Sequence, residues 1–268
     1  MMKVENSTVS TTGDSSPAIM IADGGGILIA DGGSFTTSGA MSQGIYSKGD
    51  VTITNASVNA LNAKAAVLKG NNTITLSGTI LEGKETTDAV PYNIVLFSDE
   101  KDIGTMGTQH FDVRGGSLIS HKGGMFYVTA THGKISLSGT AITMDAPAAN
   151  LITVAGNDGA NGWGTPGRNG GHVELVADNQ VLTGNISVDS ISNINMTLKN
   201  NSTFNGMISI VPNAEGGEKY KTNADVFIAA GSTWNLTGNS TLTSLYNLGT
   251  INYNGYTITL ADGTVMKA

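Results

Sequence analysis

The sequence predicts an all-β fold, a parallel β-helix in which short strands wind into a solenoid. A short unit recurs along the 268 residues, with a spacing of about 22 residues where nothing is inserted, as from Ile45 to Val67. Each unit contains short apolar runs separated by Gly, Asn or Asp, and its central run alternates polar and apolar residues. No segment shows the 3.6-residue periodicity of an amphipathic helix.

Each unit is interpreted as three strands, A, B and C, that together make one coil. Strand A is a short apolar run, strand B is the alternating run, and strand C follows a tight turn. Residues 134–142 give the clearest copy of strand B, turn and strand C. Stacking in register would bury one aliphatic ladder, whereas a slip of one residue would bury Thr, Asp and Glu. The nine expected strand-B cores are 27–29, 51–53, 74–76, 111–113, 135–137, 173–175, 196–198, 226–228 and 251–253.

The chain is expected to form a single domain over residues 1–268, with about nine three-strand coils. Three units are longer than the others, through insertions near 98–109, 155–171 and 212–224. All three insertions fall at one corner, between strands A and B. Insertions on one face of a solenoid often build its binding surface. The alternative is that the loops lengthened where added residues do no harm.

Composition excludes several classes of function. The net charge is -7, and no run of Lys or Arg suggests a nucleic-acid partner. The absence of Cys leaves no disulfide framework and no thiolate metal site. No stretch of eighteen apolar residues predicts insertion into a membrane. The first residues lack the apolar segment of a signal peptide, so a secreted form is expected to have lost its signal.

Two stretches carry a resemblance to a known group of proteins. Residues 231–240, Gly-Ser-Thr-Trp-Asn-Leu-Thr-Gly-Asn-Ser, are followed by Gly-Thr-Ile-Asn-Tyr at 249–253. This phrase resembles the closing coils of bacterial autotransporter passenger domains and related adhesin-like β-helix proteins, and residues 6–14 are similar to coils of the same group. The resemblance implies a right-handed parallel β-helix that is exported and displayed at the cell surface. No translocator barrel is expected within residues 1–268.

The first functional hypothesis is a secreted or surface-displayed bacterial module that binds glycans or proteins of the host or cell envelope without catalysis. Its candidate ligand-binding residues lie on the insertions: Trp163, Arg168 and Asn169 on the second, and Tyr220 on the third. The Trp163 ring could stack on a sugar, with the next two side chains as hydrogen-bond donors. Alternatively, Trp163 folds back over open sheet. Neither a cofactor nor a metal site is predicted, because the loop lacks a calcium-binding pattern.

The alternative hypothesis is a polysaccharide lyase or glycoside hydrolase acting on the outer face of strand B. The repeat alignment places His110, Lys134 and His172 in one outward column, and Asp112 with Glu174 in the next. Two carboxylates two rungs apart would be roughly 9–10 Å apart, near the upper end of the spacing in inverting glycosidases. A lysine or histidine beside them could abstract a proton. The simpler interpretation is a solvated face whose charges prevent lateral sheet association.

Overall fold

The computed structural model describes residues 1–88, 91–98, 107–157, 165–217 and 219–268. Within these ranges the chain forms strands, turns and loops without any helix. The strands stack in long sheets, and neighbouring strands pair in parallel except at one hairpin near residue 260. The predicted parallel β-helix is therefore confirmed.

The described residues form nine coils, numbered 1 to 9 here, and each coil places one strand in each of three columns. Column A contains β2 (Ile19–Ile21), β4 (Ile45–Ser47), β7 (Ala66–Lys69), β10 (Tyr92–Phe97), β13 (Gly124–Thr129), β16 (Asn150–Val154), β19 (Asn185–Asp189), β22 (Ile208–Val211) and β25 (Ser240–Leu242). Column B contains β3 (Ile27–Thr37), β5 (Asp50–Thr54), β8 (Thr73–Ser77), β11 (Thr108–Arg114), β14 (His132–Ser138), β17 (His172–Asp178), β20 (Asn193–Lys199), β23 (Ala224–Ile228) and β26 (Ser244–Asn247). Column C begins with the second half of β3 and continues with β6 (Ser57–Ala60), β9 (Ile80–Gly83), β12 (Ser117–Ser120), β15 (Ala141–Met144), β18 (Val181–Thr183), β21 (Thr203–Gly206), β24 (Thr233–Leu236) and β27 (Thr250–Asn252).

Partial coils adjoin both ends of this stack. Strand β1 (Met2–Thr11) lies parallel to β3 along its whole length, with Val9 opposite Phe35. At the other end, β28 (Ile258–Leu260) extends column A beyond β25, and β29 (Val265–Met266) returns antiparallel along β28. The count of about nine coils is thus confirmed, with incomplete coils in addition.

The core follows from the alternation in column B. The inward side chains of successive strands stack into two buried ladders that begin with Leu28 and Ala30 and continue with Val51 and Ile53. After the column B strands of coils 1 to 8 the chain turns through a residue with positive φ, for example Asn55 (φ 52°), Gly78 (φ 57°) and Gly139 (φ 58°). Gly adopts this left-handed conformation freely and Asn tolerates it, whereas other residues are strained by roughly 1–2 kcal/mol. The recurring Gly or Asn therefore fixes where strand B ends in coils 1 to 8.

The register of coil 6 differs from the sequence alignment by two residues. The structure places Leu175 opposite Ile135 and Ala177 opposite Leu137. The prediction had used Val173 and Leu175 as the inward pair, and that alignment was wrong. Ala177 is small and gives a weak apolar signal, while Val173 packs in a third inward position opposite a glycine. This correction moves every outward side chain of β17 relative to coil 5.

The strand assignment of the last unit was also wrong. Residues 251–253 were predicted as strand B, but β27 pairs with β24 and therefore belongs to column C. Column B is occupied by β26, which pairs with β23. Only Thr243 separates β25 from β26, and β26 is largely exposed. The weak alternation of such a polar strand explains why the sequence did not reveal it.

Column C is interrupted between coils 5 and 6, where β15 and β18 lie in different sheets. The buried side chain of Gln180 spans the interruption. Its Oε1 accepts a hydrogen bond from the Thr140 backbone N–H (2.8 Å), and its Nε2 donates to the Thr140 carbonyl (2.7 Å). One amide side chain thus replaces the pair of backbone bonds that the sheet lacks there.

A buried carboxylate, that of Glu85, stabilises the loop that follows β9. Glu85 is 2% exposed and forms an ion pair with Lys64 (2.6 Å). Its other oxygen accepts hydrogen bonds from the Thr87 N–H and hydroxyl. Burial opposes ionisation of Glu85, but the Lys64 and Thr87 hydrogen bonds outweigh it and lower the pKa to about 2.

We expect Glu85 to make stability fall in acid. Its folded-state pKa lies below the ordinary value of 4.5, so its stabilising contribution is complete above pH 4.5 and is lost as the pH falls towards 2. Thermal unfolding of the wild type and Glu85→Gln should differ by roughly 3 kcal/mol near neutral pH. The difference should shrink on acidification. A difference that stays constant from pH 6 to pH 2.5 would contradict this explanation.

Candidate functional site

Described parts of the second and third insertions meet at the corner of coil 7, around Asp189. This carboxylate is 5% exposed. Its Oδ2 accepts hydrogen bonds from the Gly156 N–H (2.8 Å) and from Nδ2 of Asn213 (2.7 Å), and its Oδ1 accepts one from the Ile191 N–H (3.2 Å). Gly156 belongs to the insertion of coil 6 and Asn213 to that of coil 8. Asp189 therefore holds two insertions from different coils on one strand end.

Further contacts join the third insertion to coil 7 and to the second insertion. The Asn223 side chain donates to three carbonyls at the end of β19 and in the turn after it, including that of Ser192 (2.8 Å). The backbones approach closely enough that a Cβ on Gly217 would lie 2.0 Å from the carbonyl oxygen of Gly167. We call this surface the insertion corner; its described residues are 155–157, 165–171, 189–192, 212–217 and 219–223.

Beside the insertion corner, three rings stack on the outward face of column B, and one of them belongs to the corner. The His132 and His172 rings lie in register on adjacent strands, with centroids 4.8 Å apart and planes 21° apart. The third insertion brings the Tyr220 ring against His172, with a centroid distance of 4.9 Å. The Tyr220 N–H donates to the Ser190 carbonyl (2.8 Å), which fixes the backbone beneath the ring. This three-ring stack joins coils 5 and 6 to the insertion of coil 8.

His172 is the buried member of the stack and His132 and Tyr220 are exposed. Nδ1 of His172 lies 2.9 Å from Oδ1 of Asn193 on the next strand. Burial lowers the pKa of His172, the Asn193 hydrogen bond opposes this, and the His132 charge lowers it further. The His172 imidazole is therefore neutral at physiological pH.

The four predicted ligand-binding residues do not share one environment. Tyr220 is 40% exposed and belongs to the three-ring stack. Arg168 is exposed on the second insertion. Asn169 is only 6% exposed, and its carbonyl accepts a hydrogen bond from the Ala130 N–H (2.9 Å). Trp163 lies outside the described residues.

All five predicted catalytic residues lie on column B. His110 and Lys134 share one outward column and Asp112 lies in the next, as predicted. The two residues of β17 do not lie in their expected columns. Lys134 is opposite His110 on one side and Glu174 on the other. Lys134 and Glu174 form an ion pair (3.0 Å) in which both side chains are about half exposed. His172 is in the column of His132 instead. The correction of the coil 6 register accounts for both changes.

Asp112 occupies the neighbouring outward column, opposite Ser136. It is separated from Glu174 by two rungs and by two residues along the strand, which corresponds to about 12 Å between Cα atoms. Carboxyl groups of inverting glycosidases are about 6.5–9.5 Å apart. Glu174 therefore pairs with Lys134 and does not form the predicted carboxylate pair with Asp112.

Two residues of the site were not anticipated from the sequence. His132 lies seven residues before the left-handed Gly139, as His172 lies seven residues before the left-handed Asn179. Counting back from the turn would have paired the two histidines. Asp189 gave no such signal, because its hydrogen-bond donors come from insertions distant in sequence.

A separate groove lies on the outer face of column A near the first coils. Its volume is about 350 Å³, and its lining includes the exposed Met20 and Met41, the Tyr46 ring and the ion pair of Lys48 with Asp23. None of the residues predicted for ligand binding or catalysis lines this groove.

Comparison with known proteins gives no match to any family profile, curated protein or solved structure. No described helix has the length and hydropathy that a membrane crossing requires. Within the described ranges, no group of three or more His, Asp or Glu side chains is arranged to hold a metal ion.

Proposed function

We propose that this chain is a secreted or surface-displayed adhesin-like β-helix module that binds glycans or proteins of a host or cell envelope without catalysis. The observation that carries the proposal is the insertion corner, where two insertions fastened to Asp189 bring Tyr220 onto a pair of histidines. Exposed aromatic rings on a rigid support are favourable contact groups for sugars and proteins.

The ionisable residues favour binding over catalysis. Glu174 is engaged with Lys134 on an open sheet face, and Asp112 lies in another column. A solvated ion pair of this kind keeps the flat sheet from associating laterally with other sheets. We therefore propose that the outer face of column B is a solvated surface beside the insertion corner and not a catalytic site.

Replacement of Tyr220 tests the proposal. We expect Tyr220→Ala to weaken ligand binding by about 10-fold or more, because truncation of a central aromatic contact commonly costs that much. The ligand would be found by screening the wild type on an array of bacterial and host glycans, and by capture of host extracellular-matrix proteins. Affinity would then be measured by titration calorimetry.

Tyr246→Ala is the matched control, because Tyr246 is 63% exposed on the same sheet but belongs to coil 9. Its affinity should equal that of the wild type. If Tyr220→Ala bound the ligand as tightly as the wild type, the insertion corner would not be the binding site and the proposal would be wrong. Release of reducing sugar or unsaturated uronate from a bound polysaccharide would instead establish an enzyme.

A further inference from the structure

His172 has one ring nitrogen whose partner is missing. Nδ1 lies 2.9 Å from Oδ1 of Asn193, and an amide oxygen only accepts, so Nδ1 carries the proton. Nε2 of the neutral ring then holds a lone pair. It is buried, and no donor reaches it from the described residues. Buried acceptors in folded proteins nearly always have a partner, so this atom requires an explanation.

The partner of Nε2 must be a hydrogen-bond donor, and it must reach this nitrogen past the stacked rings. His132 covers one side of His172 and Tyr220 contacts it from the third insertion. Of these two, Tyr220 is on an irregular segment, whereas His132 is fixed in the ladder between β14 and β17. Movement of the Tyr220 ring is therefore the simplest way to open His172 Nε2 to a ligand.

The chemistry around Nε2 favours a hydroxyl group. The neighbouring charges of Lys134 and Glu174 are paired with each other. A metal ion would need more ligands, and no cluster of three or more His, Asp or Glu side chains occurs within the described ranges. A neutral imidazole acceptor beside the face of a tyrosine ring matches a sugar, which offers hydroxyl donors at its edge and C–H groups on its face.

We propose that the ligand of the insertion corner is a saccharide that stacks on Tyr220 while one of its hydroxyl groups donates to Nε2 of His172. This inference rests on the proposed binding function and narrows it from glycans or proteins to glycans. His172 is thereby a binding residue rather than only a structural one, and Tyr220, whose ring contacts the His172 ring, holds the sugar ring.

The test uses the full chain and an array of neutral and uronate-containing oligosaccharides. The best binder on the array would be titrated into the wild type, His172→Phe and Tyr220→Ala. His172→Phe retains an aromatic ring between His132 and Tyr220 but has no acceptor, so we expect its affinity to fall by about 10-fold. His121→Phe, at the turn between β12 and β13, is the control for loss of a histidine and should bind normally.

A second measurement does not depend on the folding of a variant. The ¹⁵N resonance of His172 Nε2 in the wild type should have the position of an unprotonated, unbonded nitrogen and should shift on addition of the oligosaccharide. A merely structural histidine would not respond in this way.

The outcomes separate this inference from the proposed function. If Tyr220→Ala loses binding while His172→Phe binds normally and the nitrogen resonance does not move, the hydroxyl contact is wrong and the binding corner stands. If no oligosaccharide binds but a protein partner is captured through Tyr220, the saccharide assignment is overturned. If no ligand depends on either residue, both proposals fail.

Discussion

Gly116→Ala is expected to reduce the free energy of unfolding by about 4 kcal/mol or more. Gly116 has φ +65° at the turn between β11 and β12, and a Cβ built there would lie 2.1 Å from the Thr79 carbonyl oxygen. That oxygen accepts the Ser117 N–H, which is part of the pairing between coils 3 and 4. The clash therefore acts on backbone that cannot move without losing the stack. Urea unfolding followed by circular dichroism would measure the loss.

Gly139→Ala separates the clash from backbone strain. Gly139 also has positive φ (+58°), but nothing lies within 4 Å of an added Cβ. It should lose only about 1–2 kcal/mol, which is the cost of a left-handed alanine. Equal losses in the two variants would mean that the coils are not packed as closely as the structure places them.

Asp189→Ala should lower stability by roughly 3 kcal/mol or more and release both insertions. Removal of the carboxylate leaves the Gly156 N–H, the Ile191 N–H and the Asn213 amide without their buried acceptor. Each unpaired buried group costs about 1–3 kcal/mol. Hydrogen exchange of the wild type and variant would show faster exchange at Gly156 and Ile191.

The same variant should bind the ligand of the insertion corner less well, because Tyr220 loses its rigid support. Asp225→Asn is the matched control: Asp225 is a partly buried residue on β23 whose carboxylate accepts a hydrogen bond from the Ser244 hydroxyl at the surface. It should change stability by less than about 0.5 kcal/mol. Loss of stability in Asp189→Ala without faster exchange in the insertions would show that Asp189 supports coil 7 alone.

The fold could be predicted from the sequence because one local pattern recurs along the chain and specifies the same strand and turn in nearly every coil. Alternation in strand B and the Gly or Asn that follows it specify both the inward face and the end of the strand. One of the two errors in the prediction arose where those two signals disagreed. In coil 6 the large Val173 outweighed the small Ala177, although Asn179 marked the turn correctly. The turn residue is the more reliable marker of the register. A left-handed turn position accepts mainly Gly or Asn, whereas an inward core position accepts apolar side chains of many sizes.

The candidate site was only partly predictable. His172 and Tyr220 were selected from the sequence, but for different hypotheses and without any sign that they touch. The position of Tyr220 depends on an insertion that folds back across a whole coil to contact an earlier one. His132 was missed through the two-residue register error, and Asp189 has donors that are remote along the chain. Local patterns carry no information on such contacts.

The bonds of Asp189 also bear on how cooperatively the solenoid unfolds. In a simple repeat protein each coil interacts only with its nearest neighbours, so unfolding can advance from an end one coil at a time. Asp189 in coil 7 binds groups from coils 6 and 8 at once, and Tyr220 of coil 8 reaches back to coil 6. The bonds of Asp189 tie coil 7 to both of its neighbours, and the contact of Tyr220 with His172 adds a coupling beyond nearest neighbours. Coils 6 to 8 should therefore open as one unit, and an unfolding front that starts at coil 9 should pause before them.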